Sequence, residues 1–401
     1  MKKDILFLCQ YFYPEYNSSA TLPFDTAKHL AAEGFSVGAL CGYPKEYLPQ
    51  PQRVAKRETK DGVAIHRLQY FHADRKAAMG RLFNFFSFSA GVMLHLNELK
   101  NCRCCIVYSN PPVLPLMAVT AKKLFKTKLV FVSYDVYPEI AFAAGTFGGG
   151  HPIARVMRAV NKAVFKNADA VVALSEDMKE FLTANRETPP EKIWVIPNWA
   201  SEEAPTVQND EQQHSQTPFT VAYFGNMGLM QEMKTLTDAC RQLSESDINF
   251  SFTGHGSKTE AVKKAVEGCR NAEVNGFLTG DAFQQKMSAS SLCAVTLENG
   301  LKGLCAPSKY YSYLYAGKPV LFIGEKDNYL YREIKDEDVG VAVSIGDTEQ
   351  LVQLLEQLKK QPAALSRMGQ RASALYQRKY SRRLCNTRYA DLLRSLLEKA
   401  E

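Results

Sequence analysis

The chain has 401 residues, too many for one ordinary core, and its 46% hydrophobic and 23% charged content is that of a globular protein rather than a disordered one. A net charge of +7 suits anionic partners, yet no recognition-helix, zinc or RNA-sheet motif accompanies it, so nucleic acid is not an expected partner. The ten cysteines are scattered, and the one cluster, Cys102, Cys104 and Cys105, has neither zinc nor redox spacing, so they read as reduced, mostly buried thiols.

In chain order, the first apolar run, residues 5–9, follows Lys3 and Asp4 and is shorter than the ~7–15-residue core of a signal peptide. No stretch reaches the ~18 uninterrupted apolar residues of a membrane span. The expected location is therefore the cytoplasm. Further strand-like runs fall at 35–40, 105–108, 129–132, 170–174 and 193–196, then at 219–224, 250–252, 292–297, 320–323 and 339–343. Each leads into a helical pattern. Strands alternating with helices make parallel sheets covered on both faces, so the expected fold class is α/β.

Between the two sets lies "SEEAPTVQNDEQQHSQT", residues 201–217, with almost nothing to bury. The expected organisation is a first domain over 1–200, a linker over 201–217, a second domain over 218–380 and a C-terminal helix over 381–401. Residues 51–86 carry eight Lys/Arg (Arg53, Lys56, Arg57, Lys60, Arg67, Arg75, Lys76, Arg81) against three acids, and then run into the aromatic stretch Phe83, Phe85, Phe86 and Phe88. That pattern suits docking on an anionic bilayer, or else a solvated basic loop before a core helix.

In two doubly wound domains the site is expected at the carboxyl ends of the strands. The second-half loops there are "FGNMG", "TGHGSK" and "TLENGLKGLCAPSK". Gly225, Asn226, Gly254 and His255 sit in glycine turns that permit close backbone approach, and helix starts offer free N–H groups to an anion. Pro307, Ser308 and Lys309 form a third helix start, where a lysine is mildly unfavourable without a ligand. Three such elements on one rim point to a diphosphate. The helix then stops at Gly317 before Pro319. The first-half loops, "YFYPEYNSSA" and "SYDVYPEIAFAAG", offer Asn17, Ser18, Ser19, Asp135 and Glu139 instead. A carboxylate there orients or deprotonates a sugar hydroxyl, or else Asp135 caps a helix with Glu139 in its first turn. No P-loop, nucleophile elbow or paired-histidine spacing occurs, so no metal is expected.

These loops resemble glycosyltransferase family 4, with its two-domain GT-B architecture of Rossmann-like domains facing across a cleft. The likeness is to the bacterial surface-polysaccharide branch of fucosamine and colanic-acid transferases. It rests on "FLCQYFYPEYNSSATLPFDTAKHLAAEGFSV", "VYSNPPVL", "VSYDVYPEIAFAAG", "NADAVVALSEDMKEFL", "KIWVIPNWA", "VAYFGNMGLMQEMKTL" and "APSKYYSYLYAGKPVL", seven motifs in order over nearly the whole chain. The resemblance implies a retaining, metal-independent transfer of a hexosyl or N-acetylhexosaminyl group. The nucleotide sugar is a substrate, and no cofactor is implied.

Carried across, Gly225, Asn226, Gly254, His255, Pro307, Ser308, Lys309, Tyr311 and Ser312 surround the donor. Asn17, Ser18 and Ser19 lie at the acceptor loop, and Asp135, Glu139 and Lys309 are the catalytic candidates. The implied acceptor is a sugar on a polyprenyl diphosphate, at the inner leaflet of the cytoplasmic membrane. Three departures stand out. Leu304 and Ser312 occupy the places of two family glutamates, Asn226 that of an arginine, and Gln231-Glu232 that of a lysine, with Lys234 slightly late. Charge on the diphosphate is then expected from Lys309, helix starts and Lys302. Last, Ser18 and Ser19 stand where a glycine pair is usual. The competing reading is a catalytically inactive homologue that binds or scaffolds. An exported sugar-binding protein lacks support without a signal peptide, and an epimerase without a dinucleotide fingerprint.

Overall fold

The computed structural model describes residues 2–44, 53–71, 73, 78–146, 148–200 and 218–398. The expected linker, residues 201–217, lies outside them, as do Arg75 and Lys76.

Two α/β units are present. The first sheet runs in the order β3-β4-β2-β1-β5-β6-β7-β8. Its strands are β1 (Lys3–Cys9), β2 (Val37–Gly42), β3 (Arg57–Lys60), β4 (Val63–Leu68), β5 (Cys102–Tyr108), β6 (Lys128–Val132), β7 (Ala170–Ala173) and β8 (Ile193–Val195). The second runs β11-β10-β9-β12-β13-β14. These are β9 (Thr220–Asn226), β10 (Asn249–His255), β11 (Ala272–Asn275), β12 (Leu292–Thr296), β13 (Val320–Gly324) and β14 (Gly340–Ser344). All pairings are parallel except β3 on β4. Strands β1, β2, β5, β12 and β13 are almost wholly buried, as a sheet covered on both faces requires.

Three strands escape the sequence reading. β3 and β11 are four-residue edge strands with little to bury, and β4 breaks its apolar alternation with His66 and Arg67. The consequence is a correction to the basic stretch. Arg67 is fully buried, donating to the carbonyls of Ala55 and Tyr13, both at 2.8 Å, and to Glu58 at 2.5 Å. Its task is to brace the loop after β1, because a buried guanidinium must be paired and hydrogen-bonded.

One apolar cluster runs through both domains, taking in Leu174 and Met178 of the first and Leu304, Tyr310 and Tyr311 of the second. The chain leaves the second domain through a π-helical turn, Tyr376–Tyr380. The final helix, Arg382–Glu398, lies on the first domain. It buries Cys385, Tyr389 and Leu393 against Ile5 and Phe7, and Thr26 donates to Asn386 at 2.8 Å. The polypeptide therefore returns to the first domain at its C-terminal end.

Candidate active site

The second-domain rim is built on two adjacent strand ends. Gly254 of β10 is in register with Gly225 of β9, and His255 with Asn226. Both glycines have left-handed φ, +149° and +101°, and a β-carbon at Gly254 would lie 1.9 Å from the Gly225 carbonyl oxygen. Only glycine fits here, and the result is a flat floor of backbone. A β-carbon at Gly225 would meet Cε of Lys309 at 3.0 Å, so the lysine stem passes directly over that floor.

Lys309 is the second residue of the helix Ser308–Tyr315, with Pro307 at its N-cap and Ser308 exposed. The lysine reaches back into its own domain. Its ammonium donates to the Tyr223 phenol oxygen and to the Asn226 carbonyl at 3.2 Å, and stands 3.8 Å from the centre of the Tyr223 ring. Burial brings its pKa down to about 7. No carboxylate pairs with it among the described residues. Tyr223 is the site residue the sequence reading missed, because a tyrosine inside a strand looks like any core aromatic. His255 is exposed, with its ring edge-on to Phe277 at 5.4 Å.

Tyr311 corrects the sequence expectation. It is fully buried, and its hydroxyl lies 3.4 Å from that of Tyr329. It belongs to the core and does not face a nucleotide. Tyr310 and Tyr313 are buried too. Tyr310 anchors the lysine's helix from behind by donating to Glu333 at 2.7 Å. The same carboxylate accepts from Tyr380 at 2.5 Å and from Lys379, both in the π-helical turn. Glu333 thus ties the rim to the interdomain crossing. Ser312 is half-buried on this helix, and Leu304 is buried with its carbonyl accepting from Val136 at 2.9 Å.

Lys302, the cation expected to help Lys309, is engaged elsewhere, and so is Lys234. Lys234 is well exposed and bound to Asp238, and Lys302 donates to Asp327 at 2.8 Å. Glu232, one residue before the N-cap Met233 of the helix Lys234–Gln242, accepts from the Thr235 N–H at 3.0 Å.

Across the cleft, Asp135 follows β6. Its N–H donates to Ser109 at 3.2 Å, and its backbone bridges to Cys305, four residues before Lys309. The two domains therefore meet at this point. Asp135 does not cap a helix: Pro138 is the N-cap of Glu139–Ala143. The Asp135 carboxyl has no hydrogen bond or ion pair among the described residues, and burial pushes its pKa up to about 6. Glu139 is different. It is ion-paired with Arg186, which also donates to the Tyr137 carbonyl at 3.1 Å and lies over the rings of Phe165 and Phe181. Asn17, Ser18 and Ser19 open the helix Ser18–Ala32 beyond the end of β1, and Asn17 does not use its side chain as a cap. Its Oδ1 is buried without a partner.

A second interdomain lock lies nearby. Asp177, with its side chain fully buried in the first domain, accepts from the Tyr329 N–H and from Arg332, both at 2.7 Å. Next to it is a cavity of about 550 Å3 lined by Ser175, Tyr329, Glu333, Lys379, Tyr380 and Arg388 among others. No expected site residue lines it. It lies between the first domain and the π-helical turn.

Residues 24–199 match the family model described as "Glycosyl transferase 4-like domain". "Probable glycosyltransferase WbjE" of Pseudomonas aeruginosa is 27% identical over 304 residues, covering 73% of this chain and 74% of that protein. "Putative colanic acid biosynthesis glycosyl transferase WcaI" of Escherichia coli K12 is 20% identical, over 78% of this chain and 81% of that one. Among solved structures, sucrose-phosphate synthase from Thermosynechococcus elongatus aligns with a TM-score of 0.75 at 14% identity, covering 99% of this chain and all 100% of that one. Anabaena HepE in complex with UDP-glucose aligns at 0.68 and 16% identity, over 98% and 100% of the two chains. The resemblance to family 4 and the GT-B fold are thus both borne out.

Proposed function

We propose that this chain, whose residues 24–199 match the glycosyl transferase 4-like domain, is a retaining glycosyltransferase of bacterial surface polysaccharide synthesis. It moves a hexosyl or N-acetylhexosaminyl group from a nucleotide sugar to a polyprenyl-diphosphate-linked or polysaccharide-precursor acceptor. A UDP-sugar donor is favoured over a GDP-sugar, since HepE, a protein of the same fold, holds UDP-glucose. The carrying observation is Lys309: an ammonium with only neutral partners, lying on a glycine floor, in a cleft whose other wall bears the unpaired Asp135.

Negative charge develops on the departing diphosphate in the transition state. A preorganised cation and the N–H groups at a helix start meet it there, without a metal ion. Asp135 faces the transferred sugar or the acceptor hydroxyl. Near-neutral pH leaves most of this carboxyl ionised, so it can orient a hydroxyl and take its proton.

The membrane reading rests on the layer of helices Ala78–Leu94, Pro115–Phe125 and Pro152–Asn167, which cover one face of the first sheet. Phe83, Phe86, Met93 and Leu94 are exposed on the first, with Leu94 at 85%, and Leu124 and Val156 on the other two. Lys123, Lys126, Arg155, Lys162 and Lys166 are exposed beside them. Apolar side chains ringed by cations suit the anionic inner leaflet. No helix among the described residues is long and apolar enough to cross a membrane.

The inactive-homologue reading has one observation behind it, the absence of a carboxylate at Leu304 and Ser312. Thermal melting against UDP- and GDP-sugars, with EDTA present, separates the two. A ligand at ~100 times its dissociation constant adds ~2.7 kcal/mol to unfolding. A shift followed by UDP release and an axial product linkage supports the transferase. A shift without turnover on any lipid-linked acceptor favours the inactive homologue.

A further inference from the structure

Tyr223 lies on β9, buried to 0% exposure, and its hydroxyl donates to the Asn226 carbonyl at 2.5 Å while its oxygen accepts from Lys309. Phenol, carbonyl and aromatic face thus converge on one ammonium, whose stem crosses a residue that has to be glycine. Tyr313, from the lysine's own helix, is turned away and accepts from the Phe224 N–H at 3.3 Å. Among the described residues the Tyr223 phenol is the one titratable group in hydrogen-bond contact with the ammonium, and no carboxylate or second cation pairs with it. Such a cradle holds a cation in place without neutralising it.

We propose that Tyr223 is the positioning residue of the diphosphate site. Its oxygen and ring, with the Asn226 carbonyl, hold Lys309 across Gly225, where the ammonium meets an arriving nucleoside diphosphate while keeping the phenol as its partner. This deepens the donor-site reading above and rests on it. A second consequence concerns protons. Among the described residues only neutral groups touch the Lys309 amine, and burial lowers its pKa toward neutrality, so a dianion arriving beside it favours the protonated form and the amine takes up a proton from solvent. Binding of a nucleotide sugar is therefore coupled to uptake of a proton.

The sign follows from linkage. Only the protonated lysine engages the diphosphate, so affinity is highest below the empty-site pKa and falls as pH rises through it. UDP-glucose and GDP-mannose are the suitable probes. Their diphosphates are esterified at both ends, so their own charge is constant over the range. Calorimetric titration of the intact protein with each is run from pH 6 to pH 8. The wild type is expected to lose about 10-fold in affinity across that range for whichever sugar nucleotide it binds. Lys309→Met is expected to bind weakly with a flat profile.

Tyr223→Phe keeps the ring and the fold but removes the oxygen acceptor. It is expected to bind about 10-fold more weakly at pH 7, with the midpoint of the profile moved below 7, because the ammonium has lost a partner that favours its charged form. A structural role for Tyr223 alone leaves that midpoint where it was. Wild-type affinity and midpoint in Tyr223→Phe overturn the positioning role, and a flat wild-type profile overturns proton uptake. Equal binding by the wild type and Lys309→Met, or binding of neither probe, overturns the donor-site reading itself and the proposal with it.

Discussion

The two walls of the cleft are made differently. On the second-domain side almost every atom is placed by backbone: paired glycines, a helix start, and a lysine held by a phenol and a carbonyl. On the first-domain side the working groups are side chains on loops, and the environment separates them. Asp135 is desolvated and unpaired among the described residues, whereas Glu139, four residues on, is locked to Arg186. On the function proposed above, the rigid wall receives the diphosphate that UDP- and GDP-sugars share, which rewards a general cradle. Acceptors differ, and a loop can be revised for one of them without disturbing the sheet beneath it.

That contrast is breakable. The largest effect is expected at Lys309. Lys309→Ala should keep the fold, seen as an unchanged circular dichroism spectrum, and lose ~100-fold or more in turnover, the scale of removing a preorganised transition-state donor. Near-normal transfer by this variant would dissolve the rigid-cradle account.

Next comes Asp135→Asn, which tests the opposite wall. The Asp135 pKa is raised in the folded protein from 3.8 to about 6, so the folded state binds the extra proton between those values. Stability contributed by this group is present at the acid end and is lost as pH rises from about 4 to about 6. Asp135→Asn should therefore melt higher than the wild type at pH 8, with the gap closing toward pH 4, while transfer falls ~10–100-fold. A variant that melts lower at pH 8 would mean that the carboxylate has a stabilising partner after all.

A smaller effect is expected away from the chemistry. Phe83→Ser with Phe86→Ser should weaken sedimentation with vesicles of anionic lipid by about 10-fold. Turnover on a water-soluble acceptor should be unchanged. Unaltered vesicle binding would remove this helix from the docking face. Smallest of all is Lys234→Ala. Its ion pair with Asp238 is a surface pair between positions four apart on a helix, worth ~0.3–0.5 kcal/mol. Donor affinity should stay within about 2-fold, because the Lys234 ammonium is exposed and engaged with Asp238. A larger loss would restore it as the missing family cation.

Much of this molecule is local in origin and was legible as such. Apolar runs alternating with helical periods give the α/β class, and a glycine after a strand or Pro-Ser-Lys at a helix start is a short-range signal whose chemistry does not wait for the fold. The helix stop at Gly317, with φ +63°, is of the same kind. Edge strands β3 and β11 were not legible, since four polar or small residues make a strand only when a neighbour supplies the hydrogen bonds. Arg67 looked like part of a basic surface until Tyr13, Ala55 and Glu58 closed around it.

The sequence by itself determined the two sheets, the rim carrying Gly225, Gly254 and Lys309, and the likeness to family 4. Tertiary structure alone decided which of these groups are free to act. It turned Tyr311 into the core, tied Glu139 to Arg186 and left Asp135 without a partner among the described residues. It also set Tyr223 against a lysine 86 residues away. The reason is physical. Whether a charge is paired, desolvated or exposed depends on what the chain folds against it, and residues distant in sequence make that decision.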